Sequence, residues 1–279
     1  MKIYFGDNQF LGVNHSDGKG IKYLDQYATP DDIAATLRDA WAVGIRDFCF
    51  TVNQKTIDAI CIVIEECPFH LHPALPYAHR VNELISEKGL AGALFSKTID
   101  AGVLNLTIAG VKSLFGSYDH LFRILIATEL KGIPMENVQS IGLLNVAADF
   151  LLGIKRYDLL KSFCRSVQGS FDKKPLFYTM NFPSMADAIW GSGFEDCTIV
   201  FNYNATGFRT NPSINHVRDY IIKYKHCDSV AMSIFSGGSI QSASDLLNDA
   251  PDIKGILFGT SKKRNMTDNL NLFSAKTHT

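Results

Sequence analysis

Short runs of β-forming residues alternate along the chain with longer amphipathic stretches, and polar loops separate the two. Runs at Lys2 to Phe5 (with an extension toward Val13), Ile45 to Val52 and Leu71 to Tyr77 predict three strands. Val138 to Val146, Pro175 to Met180, Thr198 to Tyr203, Ser229 to Phe235 and Ile253 to Phe258 predict five more. Helices fill the gaps. The first follows Thr29-Pro30-Asp31-Asp32, where Thr29 suits an N-cap, Pro30 the first turn and the two acids the positive helix start. Ile33, Leu37, Ala40 and Trp41 then recur at helical spacing, and Gly44 ends the helix. Thr56 to Glu66 predicts the second helix and Arg264 to Phe273 the last.

The rhythm loosens between about Ala78 and Pro134, and residues 78–137 read as a mostly helical insertion after strand three. Such long βα segments often wall a pocket. Strands that alternate with helices imply a parallel sheet. Eight of them predict an α/β fold, a (β/α)8 TIM barrel forming one domain over residues 1–279. An open doubly wound sheet is the alternative.

A barrel carries its site where the strands end. Those ends hold Gly6-Asp7-Asn8-Gln9, Asn14-His15, Thr51-Val52-Asn53-Gln54, Tyr77-Ala78-His79-Arg80 and Asn145. They continue with Asn181, Asn202-Tyr203-Asn204, Ser233 to Gly238 and Gly259-Thr260-Ser261-Lys262. Amides, hydroxyls and glycines dominate, which suits a polyhydroxy or phosphate-bearing ligand.

Composition narrows the classes. The 279 residues carry 27 basic and 28 acidic side chains, net charge -1, so no field of one sign points to nucleic acid or an anionic membrane. The N-terminus reaches a charge within seven residues, unlike a signal peptide, and no apolar run approaches the ~20 residues of a membrane span. A cytoplasmic protein is expected. The six cysteines form no Cys-x-x-Cys pair and read as buried small hydrophobes. Homo-oligomerisation stays open.

The last two loops carry the most specific chemistry. Ser236-Gly237-Gly238-Ser239 follows strand seven, and Gly259-Thr260-Ser261-Lys262 follows strand eight and opens a helix. Small residues let backbone N–H groups approach a phosphate, the helix start adds positive potential, and Lys262 adds a charge. Two glycine turns can also simply connect elements.

These residues, with those before them, resemble the aldo-keto reductases. Gly259-Thr260-Ser261 followed by Asn269-Leu270 is similar to the family's closing segment, a Gly-x-Ser turn with Asn-Leu eight residues on. Val230 to Gly238 is similar to its Ala-x-Ser-Pro-Leu-x-x-Gly strand, with Ile234 and Phe235 replacing proline and leucine. Phe201-Asn202-Tyr203-Asn204 and Met180-Asn181-Phe182 resemble strands six and five, and Ala40 to Ile45 matches an Ala-x-x-x-Gly-Ile near the front. The resemblance spans roughly 150 residues. It implies NADP(H) held by Asn181, Ser233, Phe235, Ser236, Gly237, Gly259, Thr260, Ser261, Lys262, Asn265 and Asn269. The family's catalytic tetrad is absent. Phe48-Cys49-Phe50-Thr51 has no carboxylate, Val52-Asn53-Gln54-Lys55 no tyrosine, Leu75-Pro76-Tyr77 no lysine, and Asn145 stands where histidine should.

Another acid must then serve. His15 in a polar loop, Tyr77 at a strand end and His79 beside it are the catalytic candidates. Each is also an ordinary loop or rim residue. Arg80 could clamp a carboxylate or phosphate. Asp7, Asn8, Asn53, Asn145, Asn202 and Tyr203 are candidate substrate contacts. His70 and His72 share a strand face, but no carboxylate or cysteine motif accompanies them, and no metal is expected. Three functions follow. One is an aldo-keto-reductase-like enzyme of sugar or related metabolism, acting on a small polar metabolite. The others are a non-redox lyase, epimerase or aldolase on a phosphorylated substrate, and an inactive barrel that binds a ligand or protein.

Overall fold

Eight parallel strands close on themselves: β1 (Lys2–Gly6), β2 (Asp47–Thr51), β3 (His70–Leu75), β4 (Ser140–Leu143), β5 (Lys174–Thr179), β6 (Thr198–Asn202), β7 (Asp228–Met232) and β8 (Gly255–Phe258). Each pairs with the next, and β8 returns to β1 with Leu257 beside Tyr4 and Phe258 beside Phe5. The computed structural model describes residues 1–12, 21–75, 118–236, 240–250 and 252–274. The helices between strands are α1 (Ile21–Gln26), α2 (Pro30–Ala42), α3 (Gln54–Val63), α4 (Asp119–Glu129), α5 (Asn145–Gly153) and α6 (Tyr157–Phe171). They continue with α7 (Phe182–Ile189), α8 (Ile214–Lys223), α9 (Ile240–Asn248) and α10 (Lys263–Ser274). The expected (β/α)8 barrel is observed. No helix among the described residues is long and apolar enough to cross a membrane.

The period of two along each strand sorts side chains to opposite faces. Phe5, Phe48, Phe50, Phe177, Ile199, Phe201 and Ile256 join the apolar cluster that includes the helices. Tyr4, Cys49, Ala74, Leu176, Tyr178, Val200 and Val230 form a second cluster, which fills the barrel. Both clusters are buried, which explains why the strands read as continuous apolar runs.

Several boundaries follow from local chemistry. Thr29 caps α2 through a full capping box: its side chain accepts from Asp32 N, and the Asp32 carboxylate accepts from Thr29 N. Gly44 closes that helix at φ 105, a conformation a Cβ would strain. The extension of strand one toward Val13 is not formed. β1 stops at Gly6, and a 3-10 turn, Asn8–Leu11, turns the chain aside. The run Val138 to Val146 also divides: only Ser140–Leu143 is strand, and Asn145 opens α5. Of the insertion, residues 78–117 lie outside the described residues, and α4 is its helical part seen here.

The N-terminal end of the barrel is floored by polar side chains that satisfy one another. Asp47 Oδ1 accepts from Lys2 Nζ at 2.8 Å and from His72 Nε2 at 2.9 Å, with His70 Nδ1 at 3.4 Å. His72 Nδ1 meets Ser140 Oγ at 2.7 Å. A carboxylate only accepts, so this network assigns the proton to Nε2 and leaves Nδ1 to accept from Ser140. Burial opposes charge on both groups. It pushes His72 down, whereas hydrogen bonds from His72 and Lys2 outweigh it at Asp47 and hold that carboxyl below its usual range. Lys174 bridges Asp228 beside this floor. The pair His70 and His72 is therefore part of a strand-to-strand hydrogen-bond network. Among the described residues, no three His, Cys, Asp or Glu side chains converge as a metal site.

Candidate functional site

The opposite end opens into a cavity of about 600 Å³, within the range of small-molecule sites. The ends of β1, β2, β5, β6, β7 and β8 all contribute to its lining. Its floor is the neutral top of the barrel interior, where the Cys49 thiol and the Tyr178 hydroxyl are paired. Burial raises the pKa of both, as it does that of Tyr4 below them.

β1 brings Asp7 to this floor, with only 7% of its surface exposed. Its Oδ2 accepts from Thr51 N at 2.6 Å, across the end of β2. Burial pushes the Asp7 carboxyl up to about 7, against the hydrogen bonds from Thr51 that act to lower it. Two residues on, Gln9 donates Nε2 to Gly6 O at 2.8 Å, so its orientation is set. Its buried Oε1 has no hydrogen-bond partner among the described residues. It points at Gly259, where a Cβ would lie 2.3 Å away. A side chain at 259 would force the Gln9 amide to move.

From β6, Asn202 reaches the cavity with Nδ2 buried and likewise unpartnered. The loop behind it is held by Asn204, whose Oδ1 accepts from Phe208 N at 2.8 Å and from Thr206 Oγ1 at 2.9 Å. Thr206 Oγ1 is also 3.1 Å from Ser236 O, tying loop six to loop seven. Two non-glycine residues on this rim, Arg209 and Ser233, adopt positive φ, 54° and 58°. Phe235 packs on Phe273 of α10, with ring centroids 5.9 Å apart.

Loop eight completes the site. Thr260, Ser261, Lys262, Asn265 and Asn269 line the cavity with Gly259. Thr260 Oγ1 accepts from Lys262 N at 3.3 Å and Asn265 Nδ2 at 3.4 Å, which shapes the turn into α10. Lys263 is turned away and pairs with Asp39 of α2 at 2.9 Å. Lys262 is thus the cation of this loop that faces the cavity, with Asp268 farther along α10 on the same wall. A small-residue turn, a lysine and a helix start fit the phosphate-bearing part of a dinucleotide.

The structure thus gathers Asp7, Asn8, Asn145 and Asn202 with Ser233, Phe235, Ser236 and the loop-eight residues. It separates three others. Asn53 is the N-cap of α3, its Oδ1 accepting from Thr56 N and its Nδ2 donating to Thr51 O, so its amide is spent on the helix. Asn181 caps α7 and borders a separate shallow cleft with Ser184, Asp187 and His216. Tyr203 is fully buried beside Phe201, away from the cavity lining. His15, Tyr77, His79, Arg80 and Gly237 lie outside the described residues. Gln9, Tyr178, Met180 and Arg209 line the cavity without having been singled out as site residues. Strand parity could have found Tyr178, which lies one pleat below the strand end.

No family model matches the chain, and no curated protein does. Solved structures do. Two chains from Pseudomonas aeruginosa, each provisionally assigned as an aldo-keto reductase, superpose with TM-scores of 0.63 and 0.57. They are 9% and 10% identical to this chain, and each match covers 99% of it and 90% of the other. The chain therefore shares the barrel fold of these two structures over nearly its whole length.

Proposed function

We propose that the protein is an enzyme of aldo-keto-reductase type. It would hold NADP(H), or another phosphate-bearing ligand, along loops seven and eight, and act on a small polar metabolite at the barrel centre. The observation that carries this reading is one continuous cavity. It joins the Gly259–Lys262 turn to a floor where two buried polar atoms, Gln9 Oε1 and Asn202 Nδ2, lack partners among the described residues. A buried polar atom left unmade costs about 1–3 kcal/mol, and a ligand that supplies the missing partner recovers it. When bound, a reduced nicotinamide would supply hydride; the chain's part is to bind and orient.

The test is a titration with NADPH and with NADP+, followed by nucleotide fluorescence and thermal shift. Binding tighter than about 1 mM, weakened by Lys262→Ala, is expected. An absence of binding at that concentration sinks the nucleotide reading.

A second reading has its own support. Cys49 and Asn145 stand in the cavity where the resembled family has a carboxylate and a histidine. A non-redox lyase, epimerase or aldolase would use the same loop-eight turn for a substrate phosphate. It predicts that inorganic phosphate and sugar phosphates raise the melting temperature while nucleotides do not.

A further inference from the structure

We propose that Asp7 is the proton-carrying residue of this cavity, serving a carbonyl or hydroxyl oxygen of a small polar ligand. The inference rests on the cavity being the ligand site, and it holds for either the redox or the non-redox reading.

Among the described residues, two carboxylates line the cavity, Asp7 and Asp268. Asp268 is exposed to water and lies 3.7 Å from Arg264, one helical turn away. Asp7 is buried, and among the described residues no cation pairs with it; its carboxylate is held by Thr51. The titratable groups that face it are the neutral phenol of Tyr178 and the neutral thiol of Cys49. The charged side chains of the same cavity, Arg209, Lys262 and Asp268, are exposed. A carboxyl so placed titrates near neutrality, where it can both give and take a proton.

Asp149 on α5 supplies the internal contrast. It too holds a strand end, accepting from Thr179 Oγ1 and from Met180 N, and its pKa is also raised by burial. Asp149 does not line the cavity, however, and Asp7 does. A purely structural latch needs no such access. The ligand partner is present as well. Asn202 Nδ2 is a donor without an acceptor in the same cavity, suited to hold the oxygen that Asp7 protonates.

The step is a proton transfer. The Asp7 O–H bond breaks and its electron pair stays on the carboxylate. The proton forms an O–H bond on the ligand oxygen, and nothing is oxidised or reduced in that step. In the redox reading, a bound reduced nicotinamide would supply the hydride that adds to the carbonyl carbon. In the non-redox reading the electron pair would come from a neighbouring C–H bond of the ligand, whose proton the Asp7 carboxylate takes back.

Labelling of the wild-type protein tests this. A water-soluble carbodiimide with an amine modifies protonated, reachable carboxyls, and mass spectrometry maps them between about pH 5 and 8. Label at Asp7 is expected to halve near pH 7. Asp7 left unlabelled across the range, or labelled without a midpoint near pH 7, overturns the proposal. A second measurement reads the chemistry: reduction of glyceraldehyde by NADPH. Asp7→Asn should lower kcat by about 100-fold with NADPH affinity within about twofold, and Asp7→Glu should restore part of the rate. A variant with wild-type kcat also overturns it. Labelling decides the proposal whether or not glyceraldehyde turns over. The two readings fail separately: no NADPH binding with Asp7 labelled removes only the nucleotide, and NADPH binding with Asp7 unlabelled removes only this assignment.

Discussion

The two ends of the barrel bury polar groups in opposite ways. At the floor, Lys2, Asp47, His72 and Ser140 come from four neighbouring strands and saturate one another across β1, β2, β3 and β4. At the mouth, Gln9 and Asn202 are as deeply buried but each leaves one polar atom unmade, and Asp7 keeps a carboxyl among neutral groups. Folding alone explains the floor, since every member satisfies another. It does not explain the mouth, where the same chain length could have placed apolar side chains at no cost. That difference separates a structural polar network from a site, and it yields predictions that can break it.

The largest effect is expected at the floor. Asp47→Ala removes the acceptor that Lys2 and His72 share. Lys2 is half exposed and can turn to water, but His72 is buried and cannot. Stripping one partner from a buried network should destabilise by about 3 kcal/mol, read by urea unfolding. At the mouth, Asn202→Ala deletes a donor that has no partner, and stability should move by less than about 1 kcal/mol. If Asn202→Ala costs as much as Asp47→Ala, the mouth is structural too.

The two ends should also respond to pH with opposite sign. Asp7 has a folded pKa of about 7, above its unfolded value of 3.8. The native state therefore binds more protons between those values, and stability falls as pH rises through that window. His72 is depressed below 6.5, so the unfolded state binds more protons under that value, and stability falls as pH drops through it. Asp7→Asn removes the first slope. It should equal wild type near pH 4 and exceed it by on the order of 3 kcal/mol at pH 8 in chemical unfolding. A constant difference across that range would mean that Asp7 ionises normally.

What was legible beforehand follows the same division. Local chemistry was readable: the Thr29-Pro30-Asp31-Asp32 start of α2, the Gly44 stop, the strand parity and the loop-eight turn all appear as expected. Asn145 falls on a helix start rather than a strand because the apolar Ile141 to Leu144 run into Val146 gives no period that distinguishes strand from helix. Asn53 and Asn181 looked like site residues because an asparagine after a strand serves equally as a helix cap. The decisive contacts are non-local. Asp7 meets Thr51, Gln9 meets Gly259, and Asp47 meets His72 only once the barrel closes. No spacing within one segment encodes them.

The smallest expected effect is at Ser233, a rim residue held in the left-handed region. At φ 58° its Cβ crowds the backbone, which costs a non-glycine residue roughly 1–2 kcal/mol. Ser233→Gly relieves that crowding, but glycine gives back about 0.5–1 kcal/mol through the freedom it adds to the unfolded chain. The variant should therefore be more stable by only about 0.5 kcal/mol. If the left-handed serine is kept because its side chain and fixed backbone serve the cavity ligand, Ser233→Gly should weaken NADPH binding despite that gain. If it binds NADPH as tightly as wild type, the strained turn belongs to the loop's own path, and loop seven drops out of the site.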